Sequence, residues 1–151
     1  MQYDATDRGD PIDLTGETLE GESFDVADLR GKVVVVNVWW SACAPCRLEA
    51  PMLVGAAAQT AADADFVGVN IRDNSAEPAL AFDTTFGVTY PSIYDPTGKA
   101  LLAFAGKVNL QAVPTTVVLD REGRIAATIS GAIPSQLTLT DVIDDVAGQD
   151  G

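Results

Sequence analysis

The run Val33-Val34-Val35-Val36-Asn37-Val38-Trp39 passes directly into Trp40-Ser41-Ala42-Cys43-Ala44-Pro45-Cys46-Arg47-Leu48-Glu49-Ala50-Pro51. The first stretch is continuously apolar and β-branched, the signature of a strand buried on both faces and therefore placed inside a parallel sheet. From Ala44 to about Ala62 the composition changes to Ala, Leu, Glu, Gln and Met, which favour helix. Asp65 to Ile71 then returns to a strand pattern. Strand, helix and strand in this order make a βαβ unit with a right-handed crossover. Cys43 stands where the strand becomes the helix.

Working outward, apolar residues at Ile12, Leu14, Leu19, Phe24 and Val26, broken by Gly16 and Gly21, predict a short hairpin. Ala76 to Phe86 reads as a second helix, Ser92 to Tyr94 as a short strand and Lys99 to Ala105 as a short helix. Thr115 to Leu119, the turn Asp120-Arg121-Glu122-Gly123, and Arg124 to Ser130 read as an antiparallel pair. A last helix is expected from an N-cap at Ser135 or Thr138 to Ala147, with Leu139, Val142, Ile143 and Val146 along one stripe. The sum is an α/β domain with a central mixed sheet flanked by helices. Residues 1–10 and 148–151 are polar and are expected to be flexible tails around a single domain at 11–147.

The chain has 151 residues, enough for one core that buries roughly 68–70% of the unfolded surface. It carries 9 Lys+Arg against 22 Asp+Glu, a formal charge of −13, with the basic residues scattered singly. Such a surface repels polyanions, so nucleic acid and anionic membrane are poor partners, and no nucleic acid is expected. The chain has no His, which removes Ser-His-Asp triads, Cys-His proteases and HExxH metalloproteases together. No apolar stretch reaches 18 residues and the start has no signal-peptide pattern, so the sequence reads as cytosolic or as a domain lacking its leader.

The only two cysteines are Cys43 and Cys46, in CxxC spacing. At a helix N-terminus the unpaired N–H groups and the positive end of the dipole favour an anion. A thiol there falls from a pKa of about 8.5 toward roughly 3.5–7.5. Cys43 is thus the expected attacking thiol and Cys46, one turn further on, the resolving one. Pro45 fits the first turn, where its missing N–H costs nothing, whereas Pro51 is expected to kink the helix. A purely structural disulfide over so short a loop is worth only about 2 kcal/mol. A zinc or iron–sulfur site would find two of its four ligands. No metal and no cofactor are expected.

These residues resemble the thioredoxin superfamily, and within it the TlpA/ResA-type extracytoplasmic thiol-disulfide oxidoreductases. Asp28 to Trp39 with Cys43 to Pro51 looks like that group's signature, and Val113-Pro114-Thr115 looks like the family's cis-proline segment. The resemblance runs from about residue 12 to 147, with residues 72–112 as the group's central insertion and a hairpin at the N-terminus. It implies a thioredoxin-like fold and a redox-active disulfide between Cys43 and Cys46. It also implies that Val113 and Pro114 pair with an extended substrate segment.

Thioredoxins carry a buried Asp where this chain has Asn37, which is expected to lie behind the helix without an ionisable partner. By resemblance, Glu49 is the acid that serves the resolving thiol; the alternative is a solvated helix glutamate. Ala42 replaces the family's usual Trp, while Trp39 and Trp40 are candidates for the apolar wall beside the thiol or for simple packing. A peroxidase is disfavoured because Trp40 stands where peroxiredoxins place Thr, and a copper carrier because His is lacking. By resemblance the partners are thiols and disulfides of exported proteins and an extracytoplasmic or membrane redox partner. The chain is then expected to be a monomeric bacterial domain, tethered outside the membrane by an anchor that this sequence lacks. The expected activity is dithiol/disulfide exchange with exported proteins through the CxxC pair, with its direction open between reduction, as in cytochrome c maturation, and disulfide formation in secreted proteins; a redox-inactive binding module is the non-enzyme alternative.

Overall fold

The structure, a computed structural model, describes residues 1–149. Its main sheet has five strands. In chain order, after a hairpin of β1 (Thr15–Glu17) and β2 (Ser23–Asp25), these are β3 (Val33–Trp39), β4 (Ala64–Asn70), β5 (Ser92–Tyr94), β6 (Thr115–Leu119) and β7 (Ile125–Ser130). They lie in the order β5-β4-β3-β6-β7. β3 is parallel to β4 and antiparallel to β6, with Val36 opposite Val67 on one side and Val117 on the other. Every residue of β3 is buried. The unbroken valine run has this cause: a central strand with both faces covered has no solvent side on which a polar residue would be favoured.

The two faces are separated by the period of the strand. Val34, Val36 and Val38 enter a cluster with Ile12, Leu14, Val69, Ile93 and Phe104. Val33 and Val35 pack with Leu53 and Ala56 of helix α1 (Ala44–Gln59) and with Leu139, Ile143 and Val146 of helix α3 (Gln136–Gln149). Trp39, on the same side as Val33 and Val35, joins Phe82 and Ala79 of helix α2 (Ala76–Phe86). All three α-helices therefore serve one face. Right-handed crossovers from β3 to β4 and from β4 to β5 step the same way along the sheet and so deposit α1 and α2 together. The opposite face is closed by the hairpin region and by 3-10 turns at Val26–Leu29 and Ala100–Phe104.

Several boundaries shift from expectation. The segment at Ala100–Phe104 is 3-10 and not α-helical. The helix assignment of α1 runs through Pro51 without interruption. Ser135 is the cap of α3, its Oγ accepting from the Thr138 N–H at 3.1 Å.

The polar start departs most from the sequence reading. Residues 1–3 lie along β7, where Gln2 bridges Ala127 and the Tyr3 N–H donates to the Ala126 carbonyl at 2.8 Å, and a 3-10 turn at Ala5–Asp7 follows. β7 is an edge strand, and an unpaired edge is a standing site for association that this segment covers. Arg8 anchors it, with Nη1 3.0 Å from Asp120 Oδ2 and both side chains almost fully enclosed at 1% and 0% exposure. Composition gives no sign of this, because a lone Arg and a lone Asp 112 positions apart carry no local pattern. At the other end, Gly148 and Gln149 complete α3, and the rest of the expected C-terminal tail lies outside the described residues.

Removing Arg8 takes one of two cations from the buried Asp120 carboxylate, whose Oδ2 also accepts from Arg124 Nε at 2.8 Å, and a hydrogen bond to a charged group contributes about 1.5–3 kcal/mol. Arg8→Ala is expected to lower stability by about that amount in urea denaturation. A change below about 0.5 kcal/mol would show that the N-terminal segment is not held by this pair.

Candidate functional site

Cys43 is the N-cap of α1, in extended conformation just past the turn that follows β3, and Cys46 lies in the first turn. The two sulfurs are joined in a disulfide, with Cα atoms 5.2 Å apart. The Cys46 backbone N–H points at Cys43 Sγ, 3.2 Å away. This is the helix-terminal donor that would stabilise a thiolate at Cys43 on reduction. Cys43 is the more exposed of the pair, but the margin is narrow: 6% against 2%.

The loop before the helix is fixed from the side. Asp73, beyond the end of β4, accepts from the Ser41 N–H at 3.0 Å, from Ser41 Oγ at 2.6 Å and from Asn70 Nδ2 at 2.8 Å. Arg47 closes the other flank, donating to the Ser41 carbonyl at 3.3 Å with its guanidinium over the rings of Phe82 and Phe86. Neither Ser41 nor Asp73 stood out in the sequence. Their link is a tertiary one across 32 positions, and an Asp after a strand has many ordinary uses.

The Val113–Pro114 peptide bond is cis, and the Val113 carbonyl lies 4.0 Å from Cys43 Sγ. In the disulfide the sulfur has no proton to donate, so this is a close approach and not a hydrogen bond. Pro114 is buried and Val113 half-buried. Trp40 is half-buried under the Arg72 guanidinium, 5.9 Å from the ring centroid.

Trp39 differs from the wall-forming residue it was a candidate to be. It is buried, its ring centroid 4.6 Å from that of Phe82 and its Nε1 donating to Ser92 Oγ at 3.0 Å. It therefore packs behind the disulfide and shows no broad face to a partner. Gly68 on β4 makes room for this bond, since a Cβ there would stand 2.0 Å from Ser92 Oγ and 2.6 Å from Trp39 Nε1.

Glu49 is fully enclosed, at 0% exposure, which removes the solvated-helix alternative. Its Oε1 accepts from Asn37 Nδ2 at 2.9 Å, and its Oε2 from the Ile133 N–H at 3.0 Å. Asn37 thus does have an ionisable partner, contrary to expectation, and it also donates to Thr116 Oγ1 at 3.2 Å. Burial pushes the Glu49 carboxyl above its ordinary range, while the bonds from Ile133 and Asn37 pull the other way without cancelling the rise. Among the described residues no group of three or more Cys, Asp or Glu is arranged to hold a metal ion.

A central mixed sheet, a cis-proline loop and a CxxC disulfide capping a helix define a thioredoxin-fold protein with a dithiol/disulfide centre. The Redoxin family model matches residues 6–145, and the chain belongs to that family. Over 123 residues it is 37% identical to the thiol:disulfide interchange protein HelX of Rhodobacter capsulatus, covering 80% of this chain and 65% of the relative. The thiol-disulfide oxidoreductase ResA of several bacilli also matches. The chain spans 65% of the length of the first two curated relatives it matches.

Among solved structures, a DsbF homologue from Corynebacterium diphtheriae superposes with a TM-score of 0.89 at 38% identity, covering 96% of this chain and 91% of that one. A secreted thiol-disulfide isomerase from Corynebacterium glutamicum gives 0.91 at 32%, covering 98% and 91%. The resemblance to the ResA group and the thioredoxin-like fold read from the sequence are both upheld.

Gly68→Ala should force Trp39 and Ser92 apart, with an overpacking cost of about 1–3 kcal/mol and a shifted tryptophan emission. Wild-type stability together with an unchanged spectrum would show that the Trp39–Ser92 contact is not tight.

Proposed function

We propose that this chain is a thiol-disulfide oxidoreductase that exchanges its Cys43–Cys46 pair with cysteines of exported proteins. One observation carries the reading: Cys43 Sγ sits at the N-terminus of α1, accepting the Cys46 N–H, beside the Val113 carbonyl. In the reduced protein the Cys43 thiolate attacks one sulfur of a substrate disulfide, and the other substrate sulfur leaves as a thiolate. Cys46 then gives up its proton and attacks Cys43, closing the protein disulfide and releasing the second substrate thiolate. Two electrons pass from protein to substrate. Run backwards, the same steps oxidise a substrate dithiol.

Val113 and Pro114 would align an extended substrate segment beside Cys43 by backbone pairing, with Trp40 at the rim. Glu49, one helical turn beyond Cys46 and held by Asn37 and the Ile133 N–H, would set the charge behind the resolving thiol. The reducing direction, in which the dithiol keeps haem-binding cysteines of an exported cytochrome c available, is the reading the ResA likeness supports. A place outside the cytoplasm is supported by the relative from Corynebacterium glutamicum, which is described as secreted. Among the described residues no helix is long and apolar enough to cross a membrane.

Cys46→Ser should accumulate a mixed disulfide between Cys43 and a substrate cysteine, resolved on non-reducing gels and mapped by mass spectrometry, while Cys43→Ser should trap none. Trapping by Cys43→Ser in place of Cys46→Ser would reverse the two roles.

A further inference from the structure

The resolving step in the oxidoreductase reading above, on which this inference rests, requires a proton to leave Cys46, and Cys46 is enclosed. Glu49 cannot pass that proton to water by itself. It has no exposed surface, and both of its oxygens are already occupied by N–H donors. A different carboxylate faces the resolving cysteine from the other side. Asp83, on α2, lines with Cys46, Asn37, Trp39 and Tyr90 a cavity of about 10 Å³, room for one water. Asp83 also lines, with Glu20, Leu80 and Thr84, an open surface groove of about 400 Å³. Its Oδ1 is buried and has no hydrogen-bond partner among the described residues.

An unpartnered buried acceptor is costly unless something else repays it. Here it stands between the enclosed thiol and solvent. We infer that Asp83 is the proton port of Cys46: during resolution it accepts the Cys46 proton through a water in the small cavity and releases it into the groove. The balance is simple. The Cys46 S–H and the Asp83 carboxylate become a Cys46 thiolate and an Asp83 carboxylic acid. The thiolate forms the S–S bond to Cys43 as the substrate thiolate departs, and the acid then loses its proton to water.

The electrostatics suit this task. Burial, and after it the negative charge of Glu20, raise the Asp83 carboxyl to about 7, so that it both takes and gives a proton near neutrality. The other titratable groups facing it are Tyr90 and, beyond Tyr90, Glu49. Asp83 and Glu49 both push the already desolvated Tyr90 phenol upward, so Tyr90 stays protonated and does not compete. Arg47, the cation on the facing helix, is engaged over Phe82 and Phe86. Residue type alone hid Asp83, one of 22 acidic residues in the chain.

The test is single-turnover kinetics with a model disulfide from about pH 5 to about pH 9, following formation and resolution of the mixed disulfide separately. In the wild type, resolution should rise through an inflection near 7, because only the carboxylate form accepts the proton. Asp83→Asn should leave formation unchanged, slow resolution by about 10²-fold and abolish that inflection. A wild-type rate and profile for resolution in Asp83→Asn would overturn the proposal.

Glu20→Gln offers an independent arm that keeps Asp83 in place. With the neighbouring charge removed the inflection should move to lower pH, and an unmoved inflection would count against the assignment. A third readout needs no substrate. In reduced Cys43→Ser protein, neutralising Asp83 should lower the thiol pKa of Cys46, and an unchanged titration would show that the two groups do not face each other. Failure of the wild type to form any mixed disulfide would instead refute the oxidoreductase reading, leaving this titration to judge Asp83.

Discussion

One buried carboxylate ties the site to the fold. Glu49 reaches from α1 to Asn37 in the middle of β3 and to the Ile133 N–H just before α3, so three elements meet at its two oxygens. An ionised group in such a place is expensive, and hydrogen bonds to charged groups, at roughly 1.5–3 kcal/mol each, are what make it tolerable. The consequence is geometric. With Glu49 fixed, the first turn of α1 cannot roll over the sheet, and Cys43 and Cys46 keep their place at the carboxyl end of β3. Asn37 fits this arrangement where an Asp would not, since a second carboxylate facing Glu49 would add repulsion to desolvation.

The neighbouring constraints act in the same direction. Asp73 holds the Ser41 backbone, and the space at Gly68 admits the bond from Trp39 to Ser92 behind the disulfide. The disulfide is thus enclosed by a rigid shell on the sides of the sheet, α2 and the β4 loop. The Val113 carbonyl remains within 4.0 Å of Cys43 on the remaining side. That asymmetry explains how a cysteine pair with little exposed surface can still be selective between its two sulfurs. The first-turn N–H favours charge on Cys43, while Cys46 stays covered.

Much of this was legible in the sequence because it is written in local signals. The β3 valines gave a buried strand, CxxC after it gave the helix cap, and Ala76 to Phe86 matched α2 residue for residue. What escaped was long-range polar pairing. Arg8 with Asp120, Ser41 with Asp73, and Glu49 with the Ile133 N–H join positions with no shared periodicity. Polar composition does not reveal a partner that only the fold supplies, as at the N-terminal segment beside β7 and at Asn37 beside Glu49. Glu49 could be placed on the Cys46 face of α1 by spacing, but its complete burial depended on α3 arriving above it. The sequence leaves Trp39 open between wall and packing, and Phe82 of α2, which lies against it, decides for packing.

Exchange at this site depends on α1 making Cys43 an anion near neutral pH. The most direct measurement is a titration of the reduced protein by ultraviolet thiolate absorbance, with Cys46→Ser present so that a single thiol is followed. The geometry at the helix N-terminus calls for an apparent pKa between roughly 3.5 and 7.5. A value of about 8.5 or above, that of an unassisted thiol, would contradict it.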